Sequence, residues 1–232
     1  MSVMMLGHGP RYDAVRAAVL AAKHEIVSCE TTRPQVGVCV GWPQILKAHE
    51  LALPVWGWIN CHAGPVPAYR GGSPLNWQII NGASLIGVSV LKMTEGIDDG
   101  PVLAEQTFTL LPHEDISHAH AQANALFAGM VPKVLDRIAL GEQPERKQSG
   151  GTYWHQRDDG DGKIDWHWPA ARVHNFVRAL TRPYPGAWYR DRIRVWKTSL
   201  DCPEIRGRPG HIFNLQGKRY AVCGDRALQI LE

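Results

Sequence analysis

The sequence predicts an α/β protein: an N-terminal domain, residues 1–145, in which strands and helices alternate, and a smaller, mostly β domain, residues 146–232. Three observations predict it. Residues 2–6 form a short apolar run that enters a glycine turn and then an alanine-rich stretch with helical periodicity, a Rossmann-like opening. Residues 35–40, QVGVCV, are apolar on both faces, as a buried parallel strand requires. Beyond residue 186, short runs separated by turn residues recur at the spacing of a small barrel or curled sheet.

The elements follow in order. After the 2–6 strand, Gly7, His8, Gly9 and Pro10 turn the chain into a helix over 13–23. These glycines do not make the Gly-x-Gly-x-x-Gly spacing, so a dinucleotide site is weakly supported. Strands are expected over 25–29, 35–40 and 56–60, with a helix over 43–50 between the last two. LNWQII suits a two-turn helix over 73–81, stopped by Gly82. Strands over 87–93 and 101–110 precede a long amphipathic helix over 117–140, which Pro132 interrupts without necessarily breaking. The polar, turn-rich stretch 141–151 is the expected domain boundary. A helix over 170–180 then lines Val173, Phe176, Val177 and Leu180 on one side, and Pro183 and Pro185 end it. Short strands are expected over 187–189, 192–197, 210–215, 219–223 and 228–231.

With 232 residues, 44% hydrophobic and 20% charged, the chain is ordinary in composition and long enough for a full core plus a small second domain. It has no apolar run of membrane-spanning length and no leader pattern at the start, so the expected location is the cytoplasm. Five widely spaced cysteines without a Cys-x-x-Cys pair indicate neither a disulfide framework nor a metal centre; Cys29, Cys39, Cys61, Cys202 and Cys223 read as reduced packing residues. The net charge of +3 is too mild to indicate a polyanion partner. Arginine crowds the C-terminal third, with nine from Arg172 to Arg219, where a solvated surface and a phosphate-facing one are both open readings.

The segment 59–77, INCHAGPVPAYRGGSPLNW, followed by MTEGIDDGPVL over 93–103, carries the chemistry. Asn60 and His62 are two apart, so on a strand both leave the same face, while Cys61 between them points the other way. Asp98 sits in a glycine-flanked loop from Gly96 to Gly100. An amide donor, an imidazole and a carboxylate are the minimum equipment for acyl transfer.

Those residues resemble the signature of the N10-formyltetrahydrofolate-dependent formyltransferases: Asn60-Cys61-His62, then Pro67-Ala68-Tyr69-Arg70-Gly71, then Asp98-Asp99-Gly100. The likeness resumes over GTYWHQRDDGDGKIDW and VHNFVRALTRPYPGAWY, which look like the start of the C-terminal domain of methionyl-tRNA and amino-sugar formyltransferases. The form HAG with LNWQIING is similar to enzymes that formylate amines on nucleotide-linked sugars. The sequence departs from the pattern at Leu91, where a histidine is common, at Gly64-Pro65, and at Asp99 in place of threonine.

The resemblance implies a formyltransferase domain followed by a small OB-like domain, N10-formyltetrahydrofolate as formyl donor, and a nucleoside-diphosphate amino sugar as acceptor, without nucleic acid, membrane or metal. A homodimer is compatible with it. Asn60, His62 and Asp98 are the expected catalytic set: Asn60 donates to the developing oxyanion, His62 accepts the amine proton, and Asp98 orients the imidazole. The donor's pterin is expected against Gly41, Trp42, Ile45 and Leu46 on one side and Met93, Gly96, Ile97 and Asp98 on the other. Tyr69, Arg70, Gly71 and Asn76 are expected at the acceptor, with Arg70 gripping an anionic group. Alternatives are formylation of methionyl-tRNA, or of a hydroxyornithine or antibiotic amine. A binding module that kept the fold and uses its arginine-rich part on RNA has no need of all three catalytic groups.

Overall fold

The computed structural model describes residues 1–28, 32–142 and 145–232. Cys29 and the end of the strand expected over 25–29 lie outside the described residues. In chain order the elements are β1 (Ser2–Gly7), α1 (Pro10–Ala21), β2 (Glu25–Ile26), β3 (Val36–Val40), α2 (Ala48–Leu51), β4 (Trp58–His62), β5 (Arg70–Gly71), α3 (Pro74–Ile80), β6 (Leu85–Lys92), β7 (Val102–Thr109), α4 (Ile116–Ala139) and β8 (Tyr153–Trp154). They continue with α5 (Ala170–Leu180), β9 (Ala187–Tyr189), β10 (Ile193–Val195), β11 (Thr198–Ser199), β12 (Ile212–Leu215), β13 (Lys218–Val222) and β14 (Ala227–Ile230). The chain forms two compact units, each discontinuous in sequence: Met1–Pro74 with Gly87–Phe108 and Ala121–Trp154, and Leu75–Ile86 with Thr109–His120 and His155–Glu232.

A sheet of order β2-β1-β3-β4-β6-β7 organises the first unit. β2, β1, β3 and β4 run parallel, and β6 runs antiparallel to β4. All five residues of β3 are buried, as its two-faced apolar pattern predicts. Gly37 is needed there, because a Cβ would stand 2.2 Å from the Trp58 ring on the neighbouring strand. Two expectations change. The helix expected over 43–50 is only α2, because the Lys47 amide donates to Glu50 Oε2 at 2.7 Å and starts the turn there. The stretch before it is instead held by Trp42 and Leu46 packing on Cys39 and Trp58, so tertiary burial overrides local helix preference. β4 starts two residues later than expected, which puts Asn60 and His62 inside the strand.

In the second unit α5 buries Val173, Phe176, Val177 and Leu180, the stripe its periodicity predicts. A four-stranded antiparallel sheet of order β11-β14-β13-β12 and a two-stranded ribbon of β10 and β9 make this unit strand-rich. β11, absent from the sequence reading, is two residues long and owes its existence to pairing with β14. No helix of the described residues is long and apolar enough to cross a membrane.

Candidate active site

β4 carries two polar side chains off one face at its C-terminal end, in the first unit. The register with β6 sets Asn60 opposite Leu91 and His62 opposite Ser89, so both leave toward the same neighbourhood. They meet one carboxylate: Asn60 Nδ2 donates to Asp98 Oδ1 at 3.1 Å, and His62 Nδ1 lies 3.3 Å from Asp98 Oδ2. His62 is 5% exposed and the Asp98 side chain 13%, so the contact is shielded from bulk water. The other imidazole nitrogen, Nε2, is 2.6 Å from the Tyr69 carbonyl oxygen. A carbonyl has no hydrogen to give, so that contact puts a proton on Nε2 and leaves Nδ1 to exchange one with Asp98.

Asp98 reaches this position from a tight loop. Its φ is 50°, in the left-handed region that aspartate tolerates better than most side chains. Gly100 follows because a Cβ there would stand 1.9 Å from the Lys92 carbonyl oxygen. A third donor, the Gly71 amide, reaches Asp98 Oδ2 at 3.0 Å.

Gly71 belongs to β5, which pairs in parallel with β8: Arg70 with Tyr153, Gly71 with Trp154. Gly71 has φ 89°, and a Cβ would meet the Trp154 carbonyl oxygen at 2.3 Å, so only glycine lets the ladder close beside the carboxylate. The Tyr69 ring stacks on Trp154 with centroids 5.7 Å apart. Arg70 is 8% exposed; its Nε donates to Gln148 Oε1 at 2.9 Å and its guanidinium lies 5.3 Å over the Tyr153 ring. Tyr69, Arg70 and Gly71 thus border the triad, with the Arg70 guanidinium engaged internally. Asn76 lies in the second unit, 2% exposed, and donates to the Ala179 carbonyl at 2.8 Å.

Of the residues expected to face the pterin, Trp42, Leu46 and Met93 share one apolar cluster with Cys39 and Trp58. Met93, Gly96 and Asp98 line a small pocket together with Asn60. Gly41 takes φ 65°, and Ile45 and Ile97 present apolar side chains that are 73% and 50% exposed. Trp42 Nε1 is buried and finds no hydrogen-bond partner among the described residues. Leu91, the departure from the family's histidine, is buried with Val66 and Val102 and lines the same small pocket.

Burial pushes the Cys61 thiol up to about 12 and the Cys39 thiol up to about 11, which argues against either as a nucleophile. Most C-terminal arginines whose contacts are described are engaged internally. Arg192 and Arg194 pair with Asp159, Arg178 donates to the Leu111 and Glu114 carbonyls, Arg182 pairs with Glu232, and Arg172 lies 4.3 Å over Trp168. That favours a structural reading of the basic stretch over a phosphate-facing one.

Sequence reading missed Gln148, Tyr153 and Trp154. They fall in or just after the stretch taken as a boundary; the signal available was the pair of aromatics in an otherwise polar segment.

A family model described as formyl transferase matches residues 12–135, and one described as formyl transferase, C-terminal domain, matches residues 157–232. Among solved structures, HypX from Aquifex aeolicus in complex with tetrahydrofolic acid aligns with a TM-score of 0.76 at 19% identity, over 99% of this chain and 43% of HypX. This chain therefore spans less than half of that protein. The N-formyltransferase from Helicobacter canadensis, in complex with folinic acid and dTDP-3-aminofucose, aligns with a TM-score of 0.79 at 14% identity, over 98% of this chain and 97% of its own. PseJ from Anoxybacillus kamchatkensis, in complex with a UDP-linked formamido sugar and tetrahydrofolate, aligns with a TM-score of 0.59 at 16% identity, over 69% and 89%. At these identities the likeness speaks to the fold, whereas the two family models between them account for most of the sequence. The chain belongs to the formyl transferase family and carries both its N-terminal and its C-terminal domain.

Proposed function

We propose that this protein transfers a formyl group from N10-formyltetrahydrofolate to the amino group of a nucleotide-linked sugar, with Asn60, His62 and Asp98 as its catalytic residues. The observation that carries the reading is the meeting of Asn60 and His62 on the two oxygens of one shielded carboxylate. Membership of the family supports formyl transfer. The sugar-nucleotide acceptor rests on the sequence form HAG with LNWQIING, and on the likeness to the Helicobacter canadensis enzyme along nearly all of both chains.

The residues fit the donor. A flat heterocycle with an amide-like edge suits an apolar wall of Leu46 and Met93 beside a buried indole N–H in want of an acceptor, Trp42 Nε1. Gly41, Ile45, Gly96 and Ile97 complete the proposed slot. When bound, the folate supplies the formyl carbon.

The chain's own groups handle the charge and the proton. One hydrogen of Asn60 Nδ2 is held by Asp98 Oδ1, and the second remains for the formyl oxygen as negative charge grows on it. The amine must lose a proton as it bonds. With His62 Nε2 committed to the Tyr69 carbonyl, that proton goes to the pair formed by Asp98 and His62 Nδ1 rather than to a free distal nitrogen, and the pair would return a proton to the donor's nitrogen as its bond to the formyl carbon breaks. This departs from a serine-protease-like triad, in which the carboxylate only orients the imidazole. Tyr69 and Gly71 flank the approach of the amine. Arg70 is 8% exposed and gives its Nε hydrogen to Gln148, so its proposed role is to hold the wall beside the acceptor.

The test is formyl transfer from N10-formyltetrahydrofolate to a panel of nucleotide-linked amino sugars, followed by release of tetrahydrofolate. Turnover is expected with an amino-sugar nucleotide and to be abolished in His62→Ala, with donor affinity nearly intact. Equal turnover by mutant and parent removes His62 from the chemistry. If methionyl-tRNA is the better acceptor, its binding will weaken steeply with salt, where a diphosphate sugar shows a shallow slope.

A further inference from the structure

The loop that carries Asp98 is held through its backbone by a residue from a distant, polar stretch of the same unit. We infer that Gln148 is a positioning residue for Asp98, clamping its loop in the geometry that formyl transfer uses; the inference rests on the function proposed above. Gln148 Nε2 donates to two carbonyls of the loop backbone, that of Asp98 at 2.9 Å and that of Gly100 at 2.6 Å. Its Oε1 accepts from Arg70 Nε at 2.9 Å.

The amide orientation is forced, since an arginine can only donate and the two carbonyls can only accept. A carboxamide is the side-chain group that combines a two-hydrogen donor with an acceptor in this way, so glutamate, methionine and leucine of similar length cannot replace it. The acceptor end is itself fixed, because Arg70 is 8% exposed and Nη1 reaches the Tyr153 hydroxyl at 3.4 Å.

The clamp has work to do. Asp98 is a non-glycine residue at φ 50°, and such a conformation persists where its surroundings over-determine it. The side chain of Asp98 is held by Asn60, His62 and Gly71, while Gln148 holds its backbone. Arg70 and Gly71 are neighbours on β5, so one short strand braces the loop twice: through the Gly71 amide directly and through Arg70 by way of Gln148. Loss of the clamp frees the loop backbone and moves the carboxylate away from His62 Nδ1.

The experiment compares Gln148→Ala and Gln148→Glu with the parent. Gln148→Glu keeps an acceptor for Arg70 and loses both donors to the loop. Both variants are expected to lower kcat on the order of 100-fold, the cost of displacing a reacting group by about an ångström, with KM for donor and amine within about 3-fold of the parent. Amide hydrogen exchange over residues 96–100 should rise in both. Parent-like kcat in Gln148→Glu would assign the effect to Arg70 alone and overturn the clamp. Raised exchange with unchanged kcat would make Gln148 merely structural, which also overturns the inference. An inactive parent sinks the proposed function instead, and unchanged exchange over 96–100 would then still refute the clamp on its own.

Discussion

Two aspartates, one in each unit, set the proposed reactive centre beside a rich patch of charge. Asp159 in the second unit takes two arginines, Arg194 at 2.7 Å and Arg192 at 2.8 Å, and its side chain is 43% exposed. Asp98 in the first unit has no arginine on its carboxylate among the described contacts, but gathers an amide, an imidazole and a backbone N–H, and its side chain is 13% exposed. The hydrogen bond from Arg194 and the charges of both arginines hold the Asp159 carboxyl below its ordinary range and so favour its charged form. Unlike groups that can each move a proton or face a growing charge, converging where water is thin, make chemistry possible; density of charge does not.

The sharpest way to break this comparison is Asp98→Asn. It keeps the shape and removes the carboxylate half of the proposed proton-accepting pair, and formyl transfer is expected to fall by about 10³-fold or more. A melting temperature close to the parent's would show that the loss is chemical. Phe176→Ala does the opposite in the second unit: it empties a fully packed position on α5 and should cost about 3–5 kcal/mol in urea unfolding. Asn60→Ala comes next, with a loss of about 100-fold in kcat as one oxyanion donor disappears. A larger effect on stability than on rate would reassign Asn60 to holding the loop.

A smaller effect is pH-dependent. Burial pulls the pKa of His174 below its ordinary 6.5, so the unfolded chain binds a proton there that the folded chain refuses. Stability is therefore present above pH 6.5 and declines as the pH falls below it toward the depressed folded value. His174→Gln should flatten the fall in melting temperature between pH 7 and pH 5, and an unchanged slope would exclude His174 as its source. The smallest effect is expected of Arg192→Ala. An exposed ion pair contributes little, and Arg194 still covers Asp159, so the melting temperature should not move measurably.

Much of the fold is legible in the letters because its signals are local. Periodicity places α4 and α5, two-sided apolarity places β3, and alternation with turn residues places β12, β13 and β14 within a residue or two. Asn60 and His62 are legible as a same-face pair for the same reason. The two-residue strands β5, β8 and β11 have no pattern of their own, since two residues cannot display a period; they exist because a partner strand is there. The short α2 failed for a related reason, as the chain before it gains more from burying Trp42 and Leu46 than from forming helix.

The sequence by itself determined the family, the order of strands and helices, and the types of group available to the reaction. Only the tertiary structure decided their wiring: His62 Nε2 on the Tyr69 carbonyl, Arg70 Nε on Gln148, and Gln148 on the loop of Asp98. The reason is physical. A helix or strand is written in contacts between residues a few positions apart, whereas a hydrogen bond between residues 50 or 78 apart depends on where the whole chain brings its ends.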